Sequence, residues 1–186
     1  MKSVDLDILR LQLSIEAKNG LDFVIAATIT WSGISFIWLQ EISSYNKSVL
    51  TFIAGGVMLP LALLLSKFLK TKWKLAHNPL QPLGLWLNVA QLFYFPFLIF
   101  ALIKYPDYFL MTYVIITGAH LFPFAWFYKE PAYAIIAGII SFGALIITLN
   151  EAPNESYMPA FFISTCLLLL GLWLFISYKR KVIPVQ

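Results

Sequence analysis

Apolar residues run almost unbroken through six stretches of the chain, at 21–40, 48–66, 83–103, 108–127, 132–149 and 158–178. Each is close to the ~20 residues a helix needs to cross a hydrocarbon layer roughly 30 Å thick. Six such spans take up about 120 residues, which leaves little for a soluble domain. Ahead of them, 3–19 mixes two periods. Leu9, Leu11, Leu13 and Ile15 alternate with polar residues as in a strand. On a helix, Leu6, Leu9, Leu13 and Ala17 form one stripe, and Ile8, Leu11 and Ile15 form another. A lone strand beside a helical bundle would have unpaired edges, and Asn19-Gly20 is a helix terminator. An interfacial helix is therefore expected over 3–19, with protein on one side and lipid on the other. The predicted fold is all-α: an integral membrane bundle of six transmembrane helices with an N-terminal interfacial amphipathic helix, one domain over 1–186.

The linkers are short, and three carry turn chemistry: Ser43-Ser44-Tyr45-Asn46, Tyr105-Pro106-Asp107 and Ala152-Pro153-Asn154. Short linkers make consecutive helices antiparallel neighbours. With the N-terminus inside, the inner side receives Lys2, Arg10, Lys18, Lys67, Lys70, Lys72, Lys74, Lys129, Lys179, Arg180 and Lys181, and the outer side only Lys47 and Lys104. That split of the 13 basic residues, 11 against 2, predicts both termini in the cytoplasm of a cell-membrane protein. Trp73, Trp86, Trp126, Tyr128, Tyr45, Tyr105, Tyr108 and Tyr157 fall near span ends, as an aromatic belt does. In the segment 67–81, lysines alternate with Phe68, Leu69, Trp73 and Leu75, so it is expected on the inner leaflet. The opening Met1-Lys-Ser-Val-Asp-Leu-Asp has acids and no cleavage motif, so the first span is expected to act as the insertion signal.

Composition narrows the chemistry. Hydrophobic residues make up 60% of the chain and charged residues 12%, so few side chains remain that act on a substrate. The formal charge of +4 fits basic loops on anionic lipid heads, and nucleic acid is not an expected partner. Cys166 stands alone, which excludes an intramolecular disulfide and reads as apolar filler. No His-x-x-x-His, His-Glu-x-x-His or glycine-rich phosphate loop occurs, and neither metal nor cofactor is expected. Trp31-Ser32-Gly33 has no general base beside it.

Small residues at Ala134-x-x-x-Gly138, Ala137-x-x-x-Ser141 and Ala54-Gly55-Gly56 predict close helix approach, within the bundle or in a homo-oligomer. Pro60, Pro96 and Pro123 each remove a backbone donor inside a span, which predicts three bends.

One constellation carries polar chemistry inside the bilayer. Asn88 and Gln91 stand one helical turn apart in the third span, and His120 stands in the fourth. Counted from the inner ends, Gln91 and His120 both lie about eight residues, or roughly 12 Å, deep. The two spans also share a short pattern, Gln91-Leu-Phe-Tyr-Phe-Pro-Phe and His120-Leu-Phe-Pro-Phe. The expected site is a hydrogen-bonded polar trio beneath an aromatic gap opened by two proline bends, lined by Asn88, Gln91, Phe95, His120, Phe124 and Trp126. Satisfying His120 within the bundle is the plainer role, but an ionisable residue inside a membrane marks a site by default. Asp22 is expected to cap the first span.

The stretch His120-Leu-Phe-Pro-Phe-Ala-Trp-Phe-Tyr128 resembles small uncharacterised polytopic membrane proteins of Gram-positive bacteria. The resemblance implies location in the cell membrane and no activity. The functional expectation is binding or transport of a small apolar or amphipathic ligand between the third and fourth spans. The rival expectation is a structural or regulatory subunit acting through helix contacts. An enzyme using His120 ranks last, because no second catalytic group is visible.

Overall fold

The computed structural model describes residues 5–151 and 157–182. Six helical segments are long and apolar enough to cross a membrane: Lys18–Trp38, Ser44–Leu69, Gln81–Lys104, Pro106–Phe127, Ala132–Asn150 and Met158–Val182. A shorter helix, α1 (Leu6–Glu16), precedes them. The first span is α2 (Leu21–Trp38), and the second is α3 (Ser44–Gly56) followed by α4 (Met58–Leu69). The third is α5 (Gln81–Leu92) followed by α6 (Phe95–Lys104). The last three are α7 (Phe109–Phe127), α8 (Ala132–Asn150) and α9 (Met158–Val182). The expected turn Ala152-Pro153-Asn154 and the first residues of the 3–19 segment lie outside the described residues.

The two broken spans show what proline does to a helix. A proline at position i cannot bond the carbonyl at i−4, and its ring crowds that carbonyl. α3 ends at Gly56, four residues before Pro60, and α5 ends at Leu92, four before Pro96. Pro123 is different: α7 runs through it without interruption. Only two of the three expected bends therefore appear as helix breaks.

The core lies among the first, fourth, fifth and sixth spans. Ile34, Val114, Ile140, Ile163, Leu167 and Leu170 are fully buried there. Small residues let two of these helices close up. A methyl group added at Gly118 of α7 would lie 2.6 Å from the Ile140 side chain of α8 and 2.9 Å from Ser141 Oγ. The Ala137–Ser141 face of α8 is thus used inside the chain, whereas Gly138 has nothing within 4 Å of its added methyl. The second and third spans flank this core. α5 buries no residue completely, and α6 buries only Leu98 and Ala101.

α1 folds back onto one end of the bundle. Lys18, Asn19 and Gly20 all have positive φ (48°, 57° and 73°), a left-handed turn that reverses the chain between α1 and α2. The predicted terminator sits at this reversal. Glycine is required by contact as well as conformation, because a methyl at Gly20 would lie 3.0 Å from the Tyr128 ring. Arg10 Nε donates to the Trp126 carbonyl at 2.6 Å, and Lys129 Nζ pairs with Asp7 at 2.8 Å. The segment after α4 joins the same end: the Lys72 amide donates to the Glu16 carbonyl, and Asn78 Nδ2 donates to the Leu9 carbonyl.

Candidate functional site

The third and fourth spans meet along a seam with two fixed points. Near the α1 end, Gly84 of α5 faces Phe127 of α7, where an added methyl would lie 2.9 Å from the ring. Toward the other end, Leu98 and Ala101 of α6 pack with Phe109 of α7. The helices are therefore antiparallel and in contact. Seven residues make almost two helical turns, a rise of about 10.5 Å that returns to nearly the same face. Gln91 lies seven residues after Gly84, and His120 lies seven before Phe127. Counted from that contact, the helical period brings the two positions to about the same depth.

Neither residue is satisfied there. Among the described residues, no hydrogen bond reaches the Gln91 or His120 side chain. Both are half-buried. The His120 ring meets Phe124 edge-on, with centroids 5.3 Å apart. The Asn88 amide turns back to the Gly84 carbonyl at 2.8 Å, a local bond on its own helix. The expected hydrogen-bonded trio is thus replaced by a self-bonded Asn88 and two open polar groups. Gln91 occupies the last turn of α5, and its carbonyl accepts from the Tyr94 amide at 3.1 Å as the helix tightens into the break before Pro96.

The aromatic residues are dispersed. Phe124 is buried and contacts Phe127, Tyr128 and Tyr133, so it backs the seam from the core side. Phe95 packs on Phe52 of the second span at 5.6 Å. Trp126 is taken by α1: the Arg10 guanidinium lies 4.8 Å from its ring centroid. The same seam widens at its far end into an apolar hollow of about 270 Å³, lined by Phe97, Phe100, Ala101, Tyr105, Tyr108 and Thr112. Sequence reasoning missed this hollow. Its signal was the aromatic crowding around Tyr105-Pro106-Asp107, read as a membrane belt.

A second polar region lies under α1 and is fully connected. Lys181 Nζ donates to Ser14 Oγ (2.8 Å), Asn19 Oδ1 (3.0 Å) and Glu130 Oε2 (3.0 Å). Ser177 Oγ also donates to Glu130 Oε2, and Tyr133 OH donates to the Asn19 carbonyl at 2.6 Å. Asp22 does not cap its helix: its Oδ2 accepts from Thr71 Oγ1 (2.7 Å) and Trp73 Nε1 (2.5 Å). Burial, and then the Asp22 charge, push the Tyr128 phenol well above its ordinary range, so it stays neutral. Ser14 and Lys181 form a serine–lysine pair, but Lys181 Nζ donates to Ser14 Oγ, Ser14 Oγ in turn donates to Asn19 Oδ1, and Ser14 is wholly buried. The serine proton points to an amide oxygen and not to a base, so the pair is not an activated nucleophile. No group of three or more His, Cys, Asp or Glu fit to hold a metal occurs among the described residues.

A family of unknown function (DUF7010) matches residues 6–177. The chain belongs to this family. The match takes in α1, all of the seam and most of α9. No curated protein and no solved structure matches the chain.

Proposed function

We propose that this is a multi-pass protein of the cell membrane, with both termini in the cytoplasm, that binds a small amphipathic molecule in the seam between its third and fourth spans. One observation supports the reading: Gln91 and His120, half-buried on adjoining spans and brought to similar depth by the helical period, have no hydrogen-bond partner among the described residues. An unpaired polar group in an apolar layer costs free energy, which a ligand hydroxyl, carboxyl or amide bridging the two would recover. The apolar hollow farther along the seam suits the hydrocarbon part of the same molecule. Transport of that molecule is the extension of this reading.

The test is photolabelling of the protein in lipid nanodiscs with a diazirine-bearing fatty alcohol, mapped by peptide mass spectrometry. Label is expected in residues 84–127, and His120→Leu and Gln91→Leu should each remove most of it. Label spread evenly over all lipid-facing helices, and unchanged in both variants, would overturn the reading. A second reading, a subunit working through helix contacts, is favoured by the open surface at Gly138. Gly138→Leu would then abolish a cross-linked complex and leave seam labelling intact.

A further inference from the structure

Glu130 is 4% exposed, yet only one of its carboxylate oxygens is engaged. Oε2 accepts from Lys181 and Ser177, while no hydrogen bond reaches Oε1 among the described residues. The carboxylate lines a hollow of about 510 Å³ together with Trp173, Ile176, Ser177 and Arg180. Arg180 is exposed and makes no ion pair with Glu130 or any other described residue. A carboxylate and a guanidinium therefore border one hollow without pairing.

The order of the lining along α9 is informative. Trp173, Ile176, Ser177 and Arg180 follow at steps of three, one and three, which puts them on one helix face. Arg180 stands seven residues beyond Trp173, a rise of about 10.5 Å. The apolar pair thus lies toward the middle of the span, and the charged groups lie at its end, beside Lys179 and Lys181. The face runs from hydrocarbon chemistry to zwitterionic chemistry, in the order of a phospholipid read from tail to head.

We propose that this hollow is a binding site for a phospholipid whose head carries a primary amine beside its phosphate. Arg180 takes the phosphate as a fork of N–H donors. Glu130 Oε1 accepts an N–H from the ammonium, and Trp173 and Ile176 flank the upper part of an acyl chain. Charge balance selects this class. An anionic head would bring negative charge to the free oxygen of Glu130, and a cationic amphiphile would leave Arg180 unanswered. A choline head supplies the phosphate and no N–H for Oε1. The site is separate from the Gln91–His120 seam and does not depend on a ligand there.

The experiment incubates the full-length protein with vesicles of equimolar phosphatidylethanolamine, phosphatidylcholine and phosphatidylglycerol. The lipid retained after gentle detergent extraction is then measured by mass spectrometry. Phosphatidylethanolamine should be retained about tenfold over phosphatidylcholine, the factor expected of one hydrogen bond to a charged group. Equal retention of the two, or preference for phosphatidylglycerol, would overturn the proposal, and this comparison needs no variant. Arg180→Gln should lose retention of the ethanolamine lipid without changing the thermal transition, and full retention in that variant would also overturn it. Soluble O-phosphoethanolamine should fail to displace the lipid, because it lacks the apolar half. Displacement at equimolar concentration would refute the lipid assignment.

Discussion

The two polar regions of this bundle differ in how fully they are bonded. Under α1, Lys181, Ser14, Asn19, Glu130, Ser177 and Tyr133 bond one another across three segments of chain. In the seam, no hydrogen bond reaches the Gln91 or His120 side chain among the described residues, and the His120 ring meets Phe124 edge-on. A closely bonded network rigidifies the parts it joins, and this one leaves only Glu130 Oε1, at its edge, to offer a ligand. Open donors and acceptors inside a greasy bundle do the reverse: they add little to folding and remain free for recognition. The difference fits an architectural role for most of the α1 network, with Glu130 Oε1 left open at its edge, and it is what the proposed ligand site in the seam rests on.

The sharpest way to break this comparison is Lys181→Met. It leaves the Glu130 carboxylate buried without its cation, and breaking such a pair costs about 3 kcal/mol. The partial exposure of the lysine keeps the figure at the lower end of the usual range. A large drop in the denaturation midpoint of the detergent-solubilised protein is expected; an unchanged midpoint would mean that the network does not hold the fold. Tyr133→Phe removes one buried hydrogen bond to the Asn19 carbonyl and should lower stability by about 1 kcal/mol in the same assay. Gln91→Leu and His120→Leu should each leave stability unchanged or raise it by up to about 1 kcal/mol, because no internal bond is lost and an unpaired polar group is removed, while seam photolabelling falls. Losses as large as that of Lys181→Met would place the seam in the architectural class as well.

The smallest effect concerns pH. The hydrogen bond from Lys129 holds the Asp7 carboxyl below its ordinary value of 3.8. A depressed carboxyl adds stability that is fully present above the unfolded value and is lost as pH falls through the folded one. Hydrogen exchange in α1 should therefore be insensitive to pH near neutrality and speed up on acidification below 3.8. In Asp7→Asn the acid-dependent step should vanish.

Some of this was legible in local pattern. The positions of the six apolar helices follow from run length alone. The reversal at Asn19-Gly20 follows from residues that tolerate positive φ, and the breaks before Pro60 and Pro96 follow from a missing amide hydrogen. Counting along antiparallel helices predicts an equal depth for Gln91 and His120, and the Gly84–Phe127 contact gives the two helices a common reference point. Other expectations failed for reasons that lie far along the chain. Trp126 looked like part of a ligand gap, but Arg10, 116 residues away, claims both its ring and its carbonyl. Asp22 looked like a helix cap, but Thr71 and Trp73 reach its carboxylate from the segment after α4. Asn88 looked like a partner for His120, but a carbonyl one turn back on its own helix is nearer and already aligned.

The sequence by itself determined where six apolar helical segments run, where the chain reverses ahead of the first, and the helix breaks before Pro60 and Pro96. These depend on side-chain solvation and backbone sterics, which act over a few neighbouring residues. Only the tertiary structure decided which polar groups find partners. Lys181 meets Ser14 across 167 positions, while Gln91 and His120, close in depth and on adjacent spans, stay unbonded. Hydrogen bonds are satisfied over about 3 Å in space, and separation along the chain carries no such distance.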